Sequence, residues 1–187
     1  MCGLAGEVHW QKGANAEAVL RMAQHIAHRG PDDHGLWCDV ENQCVLAHRR
    51  LSIIDLSPLA HQPMQDAITG NMLAFNGEIY NYKQLRKQCE ALGDTFRSQS
   101  DTEVILALYR RHGVDCLRHL RGMFAISLWD AKNQHLFLAR DRLGKKPLNY
   151  ALTANGMVFC SELQPLLLHP LIDDVRDQDA FELYLQL

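Results

Sequence analysis

The chain opens Met1-Cys2-Gly3-Leu4-Ala5-Gly6, and removal of Met1 leaves one residue carrying both a thiol and a primary amine. A thiol is only slightly ionised at neutral pH, so covalent catalysis by cysteine needs a base beside it. An α-amine with an ordinary pKa of about 7.7 to 8 can take that part. Gly3 and Gly6 would let backbone pass close to a ligand. Read alone, the same residues also describe a small, inert second-position cysteine. Three further clusters combine polar groups with apolar supports. In Arg49-Arg50-Leu51-Ser52-Ile53-Ile54-Asp55 the planar guanidinium of Arg50 can hold a carboxylate through two parallel hydrogen bonds, with neighbouring backbone completing the cradle. A solvated strand end has the same composition. Asn76-Gly77-Glu78 offers a side-chain amide followed by an unshielded N–H, two donors that suit a developing oxyanion. Asn-Gly equally suits a hairpin turn. Ser100-Asp101-Thr102-Glu103 fits a capping box at a helix start, where Asp101 can also offer a carboxylate to an ammonium.

These groups need elements to position them. The opening residues read as a buried strand. Asn15 caps a helix whose apolar positions run from Ala18 to Ala27 and stop at Gly30-Pro31. Residues 28–35 form a loop, followed by short strands at Leu36–Val40, Cys44–His48 and Leu51–Asp55. Met72–Phe75 is a strand that delivers Asn76-Gly77-Glu78 at its end. Helices follow over Asn81–Leu92, ended by Gly93, and Asp101–His112, ended by Gly113. Met123–Trp129 with His135–Ala139, and Pro147–Ala151 with Met157–Cys160, read as hairpins. Asp177–Leu187 reads as an amphipathic helix. Antiparallel meanders with helices grouped between them point to packed sheets covered by helices, not to a doubly wound parallel fold.

At 187 residues, with a formal charge of −3, the chain suits one domain. The charge gives no basic excess that would suggest nucleic acid or an anionic membrane. No apolar run approaches the roughly 20 residues of a membrane span, and the start lacks a signal-peptide pattern, so a cytoplasmic location is expected. The cysteines at 2, 38, 44, 89, 116 and 160 contain no CxxC pair and are expected to be free thiols. The histidines meet no cysteine couple at zinc-ligand spacing, so no metal is expected.

Six segments occur in one order: Met-Cys-Gly at the start, His28-Arg29-Gly30-Pro31-Asp32, Arg50 to Asp55, Asn76-Gly77-Glu78-Ile79-Tyr80-Asn81, Ser100 to Glu103, and Arg140-Asp141-Arg142-Leu143-Gly144-Lys145-Lys146-Pro147-Leu148. Together they resemble the glutaminase domain of glutamine-dependent asparagine synthetase, a glutamine amidotransferase of the N-terminal-nucleophile type. The resemblance covers nearly the whole chain. Arg-Leu-Ser-Ile-Ile-Asp followed by His61-Gln62-Pro63-Met64 points to that branch over the phosphoribosyl-amine and glucosamine-phosphate relatives. Asn149-Tyr150 stands where the family often has two tyrosines.

The resemblance implies an α+β fold, a four-layer αββα sandwich of two antiparallel sheets, and a glutaminase domain spanning residues 1–187. It implies that Cys2, once exposed, attacks the side-chain amide of L-glutamine with its own amine as base. Asn76 and Gly77 then match the oxyanion hole, and Arg50 the binder of the substrate carboxylate. The Leu51, Ser52, Ile53 and Ile54 backbone lies beside it, and Glu78 and Asp101 match the acidic pair for the substrate ammonium. No cofactor is implied in this domain. ATP and Mg belong to a C-terminal synthetase domain into which the chain is expected to continue past Leu187, since no Ser-Gly-Gly-x-Asp-Ser loop is present. Docking to that domain would cover Phe181, Leu183, Tyr184 and Leu187; a homodimer is left open. Three alternatives stand beside this reading: a catalytically silent docking domain of the same fold, a glutaminase serving another acceptor, and a papain-like hydrolase using Cys160.

Overall fold

The computed structural model describes residues 1–175 and 177–186. Two antiparallel sheets face each other. One has the order β2 (Asp33–Cys38), β3 (Cys44–Arg50), β1 (Gly3–His9), β9 (Gly156–Cys160), β8 (Asn149–Thr153). The other runs β4 (Met64–Gln65), β5 (Met72–Ile79), β6 (Gly122–Asp130), β7 (His135–Arg140). Helices α1 (Ala16–His25) and α4 (Leu163–Leu166) cover the first sheet, and α2 (Tyr82–Ala91) with α3 (Asp101–His112) covers the second. The expected four-layer sandwich is therefore the observed one.

Strand alternation explains the layers, because successive side chains point to opposite faces. Along β6, Phe124, Ile126 and Leu128 join the core under α3, while Ala125 and Trp129 join Leu4, Leu46 and Phe159 between the sheets. Burying the Trp129 and Phe159 side chains there stabilises the fold by about 1.5–3 kcal/mol each. Gly6 sits beneath this layer. A Cβ on it would lie 2.2 Å from the Phe159 ring and 2.6 Å from the Val45 carbonyl oxygen, so this glycine admits a neighbouring ring and strand, not a ligand.

Helix α1 begins where Asn15 Oδ1 accepts from Ala18 N at 3.0 Å. It buries Ala18, Val19, Met22 and Ala23 on one face, ends at His25, and passes into a 3-10 turn over Ala27–Arg29. That is two residues short of the expected end. Strand β2 starts at Asp33, inside the expected loop, and ends at Cys38. Helix α3 starts and stops as expected, with Gly113 at φ 55°. Its capping differs: Ser100 Oγ accepts from Thr102 N at 3.1 Å, but Glu103 reaches past the cap to Ser98 N at 2.8 Å and Arg97 N at 2.9 Å. Helix α5 (Gln178–Tyr184) is capped by Asp177, whose Oδ1 accepts from Ala180 N at 3.0 Å. Leu183 and Tyr184 on it are exposed and Phe181 is half-buried; Leu187 lies outside the described residues. Among the described residues no helix is long and apolar enough to cross a membrane.

Candidate active site

The register of β1 on β3 pairs Gly3 with Arg49, which brings Cys2 to the end of β3, beside Arg50 and Leu51. The Cys2 thiol lies 3.6 Å from Leu51 O and accepts from Leu51 N at 3.4 Å. Its carbonyl is held by Arg29, whose Nε donates to Cys2 O at 2.9 Å while Nη1 pairs with Glu162 Oε1 at 2.9 Å. Burial pushes the thiol above its ordinary pKa, although the Leu51 N–H, the chain's amino terminus, Arg50 and Lys146 pull the other way. A thiol held this way needs a base before it can attack.

Residues 51–55, expected as a strand, are a loop without regular structure. Their hydrogen bonds go to side chains: Ser52 N donates to Asp32 Oδ2 at 2.8 Å, and Asp55 accepts from Ser57 N at 2.8 Å and Gln99 N at 2.7 Å. Arg50 fastens the loop from below. It donates through Nη2 to Asp55 O and through Nη1 to Ser57 O at 3.3 Å, with Asp33 at 3.9 Å. The β-branched run that suggested a strand leaves Ile53 71% exposed.

The Asn76-Gly77 turn reading is excluded, because β5 runs straight through both residues to Ile79. Tyr80 N donates to Arg121 O, so even-numbered N–H groups of β5 face β6 and odd-numbered ones face the opposite edge. On that edge Phe75 N donates to Gln62 Oε1 at 2.7 Å and Ile79 N to Asp101 Oδ2 at 2.9 Å. The Gly77 N–H lies between them and donates to no side chain among the described residues. Asn76 is 1% exposed and its Nδ2 has no hydrogen-bond partner, although buried amides are ordinarily satisfied. By alternation Asn76 shares the inter-sheet side with Ala74, and Cys2 shares it with Leu4. His48 closes the gap between the sheets here, its Nε2 2.9 Å from Phe75 O. Burial lowers its pKa to about 4, so the ring is neutral near pH 7 and donates to that carbonyl.

Asp101 opens α3 and is only 4% exposed. Burial raises its pKa to about 6, against the N–H groups of Ile79, Asp101 and Thr102; nearby Glu78 adds to the rise. An open cleft of about 420 Å³, counting the part exposed to solvent, gathers Cys2, Arg50, Leu51, Ile53, Ile54, Gly77 and Asp101. One cleft thus holds a thiol, a cation and an anion.

A sequence profile of the glutamine amidotransferase domain family matches residues 1–187. The chain belongs to that family. Among curated proteins it is 40% identical over 174 residues to asparagine synthetase [glutamine-hydrolyzing] 3 of Bacillus subtilis, covering 91% of this chain and 28% of that protein. It is 38% identical over 205 residues to putative asparagine synthetase [glutamine-hydrolyzing] 2 of Methanocaldococcus jannaschii, covering 100% and 39%. Amidase chry2 of Gibberella zeae is 41% identical over 160 residues, covering 82% and 23%. The amidotransferase domain therefore spans roughly a quarter to two-fifths of these relatives' length. Among solved structures, glutamine phosphoribosylpyrophosphate amidotransferase from B. subtilis, in complex with ADP and GMP, superposes with a TM-score of 0.74 at 22% identity, covering 88% of this chain and 42% of that one. The fold of the amidotransferase domain is that of this structure.

Three sequence-predicted residues do not line the cleft of this amidotransferase domain. Ser52 turns its backbone to Asp32, Glu78 is exposed, and Asn76 is buried beneath the cleft. Gln62 lines it and was missed as a site residue: its amide joins Phe75 N to Thr102 Oγ1, 3.4 Å away. Its only sequence signal is a place in His61-Gln62-Pro63-Met64. Cys160 is fully buried in β9, where burial pushes its thiol to about 11. That environment does not suit a papain-like nucleophile at a helix N-terminus. Among the described residues no group of three or more His, Cys, Asp or Glu is placed to hold a metal ion.

Proposed function

We propose that this domain hydrolyses L-glutamine to glutamate and ammonia with Cys2 as nucleophile. The observation that carries the proposal is the cleft in which a thiol, Arg50 and Asp101 meet. A free α-amino acid presents a carboxylate and an ammonium together, and a peptide-bound glutamine presents neither. In this reading Arg50 takes the α-carboxylate, beside the Leu51 to Ile54 backbone, and Asp101, with Glu78 nearby, takes the α-ammonium.

With Met1 removed, the α-amine of Cys2 accepts the thiol proton as Sγ bonds to the amide carbon of the side chain. The carbonyl electron pair moves onto oxygen, where Asn76 Nδ2 and the Gly77 N–H are the donors we assign to it. The carbon–nitrogen bond breaks as the amine returns the proton to the leaving ammonia. Water then attacks the thioester, giving glutamate and the free thiol. Because burial pushes the thiol up, this base is needed at neutral pH.

The ammonia acceptor is a second proposal. The named asparagine synthetases favour a synthetase domain in the same polypeptide that activates aspartate with ATP and Mg. The similarity to an amidase keeps a different acceptor as the alternative. The test is ammonia release from L-glutamine by Met1-processed protein, with Cys2→Ala and an N-acetylated glutamine as controls. Release that survives Cys2→Ala, or equal hydrolysis of the N-acetylated compound, refutes the reading. Aspartate-dependent asparagine formation by the full-length protein decides between acceptors.

A further inference from the structure

Strand β4 stops just short of the cleft. It pairs Met64 with Leu73 and Gln65 with Met72, and carried on by two residues the same register would set the Gln62 backbone opposite Phe75. The ladder does not continue. Pro63 has no N–H to donate, and the Gln62 carbonyl oxygen faces β2, where a Cβ on Gly35 would lie 2.2 Å from it. Side chains take the place of the missing strand. Gln62 Oε1 accepts from Phe75 N at 2.7 Å, and the Phe75 carbonyl accepts from His48 Nε2 at 2.9 Å. Further along the same edge, Asp101 Oδ2 accepts from Ile79 N at 2.9 Å. Between these caps Gly77 lines the cleft, and its N–H, which points to this edge, has no acceptor among the described residues, although backbone N–H groups are ordinarily paired. Gln62 itself is only 5% exposed. Because a backbone N–H can only donate, the amide oxygen must face Phe75, which turns Nε2 toward Thr102 Oγ1 in α3, 3.4 Å away. The amide thus links β5 on one side of Gly77 to the helix whose Asp101 caps it on the other.

We infer that Gln62 is a positioning residue that acts through Gly77: its side-chain amide stands in for an edge strand and fixes β5 so that the Gly77 N–H stays open and aimed at the oxyanion. The inference rests on the proposed hydrolysis, in which Gly77 supplies that donor. A true strand along this edge would pair Gly77 as well as Phe75 and Ile79. Caps from separate side chains hold β5 on both sides of Gly77 and leave its donor free. A preorganised donor needs no rearrangement as charge develops on the substrate oxygen, whereas a misplacement of about 1 Å can cost roughly 100-fold in rate. Without the Gln62 amide, Phe75 N loses its acceptor, and the strand is released two residues before Gly77.

The test uses Met1-processed protein with Gln62→Met, which nearly keeps the side-chain volume and removes both hydrogen bonds. Three readouts are compared with wild type: kcat and KM for glutamine, the rate of Cys2 alkylation by iodoacetamide followed on the N-terminal peptide, and hydrogen exchange of the Phe75 amide by NMR. Iodoacetamide reacts by displacement at a saturated carbon, so it needs the thiolate but no oxyanion donor. Gln62→Met should lower kcat by about 10- to 100-fold, with KM within about threefold, an unchanged alkylation rate and faster exchange at Phe75. If Gln62→Met does not fold, Thr102→Val, which removes the other partner of the amide, carries the same expectation with kcat lower by about threefold. A kcat within about twofold of wild type overturns the inference, as does a loss confined to KM. Alkylation that slows in step with kcat also overturns it, because the defect then lies at Cys2. Faster Phe75 exchange in a protein whose wild type releases no ammonia supports the capping role of Gln62 while refuting glutamine hydrolysis. Normal hydrolysis by both wild type and Gln62→Met refutes Gln62 alone.

Discussion

Replacing Asp101 with Asn should stabilise the domain and weaken glutamine binding in the same protein. Burial raises the Asp101 pKa from 3.8 to about 6, so the folded state holds this proton more tightly than the unfolded chain. The sign follows: stability from this group is fully present below pH 3.8 and is lost as pH rises through about 6. Near pH 7.5 the ionised carboxylate costs the fold up to about 3 kcal/mol, at 1.36 kcal/mol per unit. An Asn Oδ1 can still accept from Ile79 N without that charge. We expect Asp101→Asn to gain at least about 1 kcal/mol at pH 7.5, or a melting rise of about 2–4 °C per kcal/mol gained. The gain should shrink toward zero between pH 6 and pH 4. Losing the charge that meets an ammonium should raise KM for glutamine by about 10- to 100-fold, with a smaller change in kcat. Urea unfolding of both proteins at pH 7.5, 6, 5 and 4, alongside steady-state kinetics, measures both effects. A variant no more stable at pH 7.5, or a gain undiminished at pH 4, refutes the electrostatic account. An unchanged KM refutes the ammonium role.

His48 should show the opposite pH signature: its pKa falls to about 4 on burial, so its stabilising contribution is lost as pH drops from 6.5 toward 4. His48→Gln, which can still donate to Phe75 O, should lose less stability over that window, by up to about 3 kcal/mol in urea titrations. Asn76→Ala should lower kcat by about 100- to 1000-fold with little change in KM, as removal of one oxyanion donor does; near-normal kcat would remove Asn76 from the chemistry. Gly77→Ala should fail structurally, because its Cβ would lie 2.3 Å from the Met123 carbonyl oxygen and 2.9 Å from Phe124 Cα. Loss of the cooperative unfolding transition, or a melting point many degrees lower, is the expected result, and a native-like melt would contradict the strand geometry.

Periodicity made α1, α2, α3 and both hairpins legible, because each has an apolar stripe and a stop signal that tertiary packing then uses. Residues 51–55 misled for a physical reason. Leu-Ser-Ile-Ile has the β-branched content of a buried strand, but Arg50, Asp32 and Gln99 fasten it as a loop that turns Ile53 outward. Asn76-Gly77 carried the reverse ambiguity: the dipeptide favours a turn locally, and only pairing of Asn76 with Ala125 and Gly77 with Phe124 keeps it extended. The resemblance supplied Cys2, Arg50 and Asp101, and the cleft gathers them. The unpaired state of Asn76 Nδ2 could not be read from sequence, since a missing partner is a property of burial and not of spacing.

That missing partner belongs to a pattern. Asn76 Nδ2 lacks an acceptor, and Asp101 is ionised against burial. Each arrangement is unfavourable in the free domain, and stable cores ordinarily avoid both. In the proposed reaction glutamine and its intermediate answer them in turn. The ammonium meets Asp101 on binding, and the oxyanion meets Asn76 as the tetrahedral carbon forms. Only the first of these is available to a ground-state ligand. Binding of glutamate, which keeps the ammonium, should therefore relieve Asp101 alone and leave Asn76 waiting for charge that appears only during reaction.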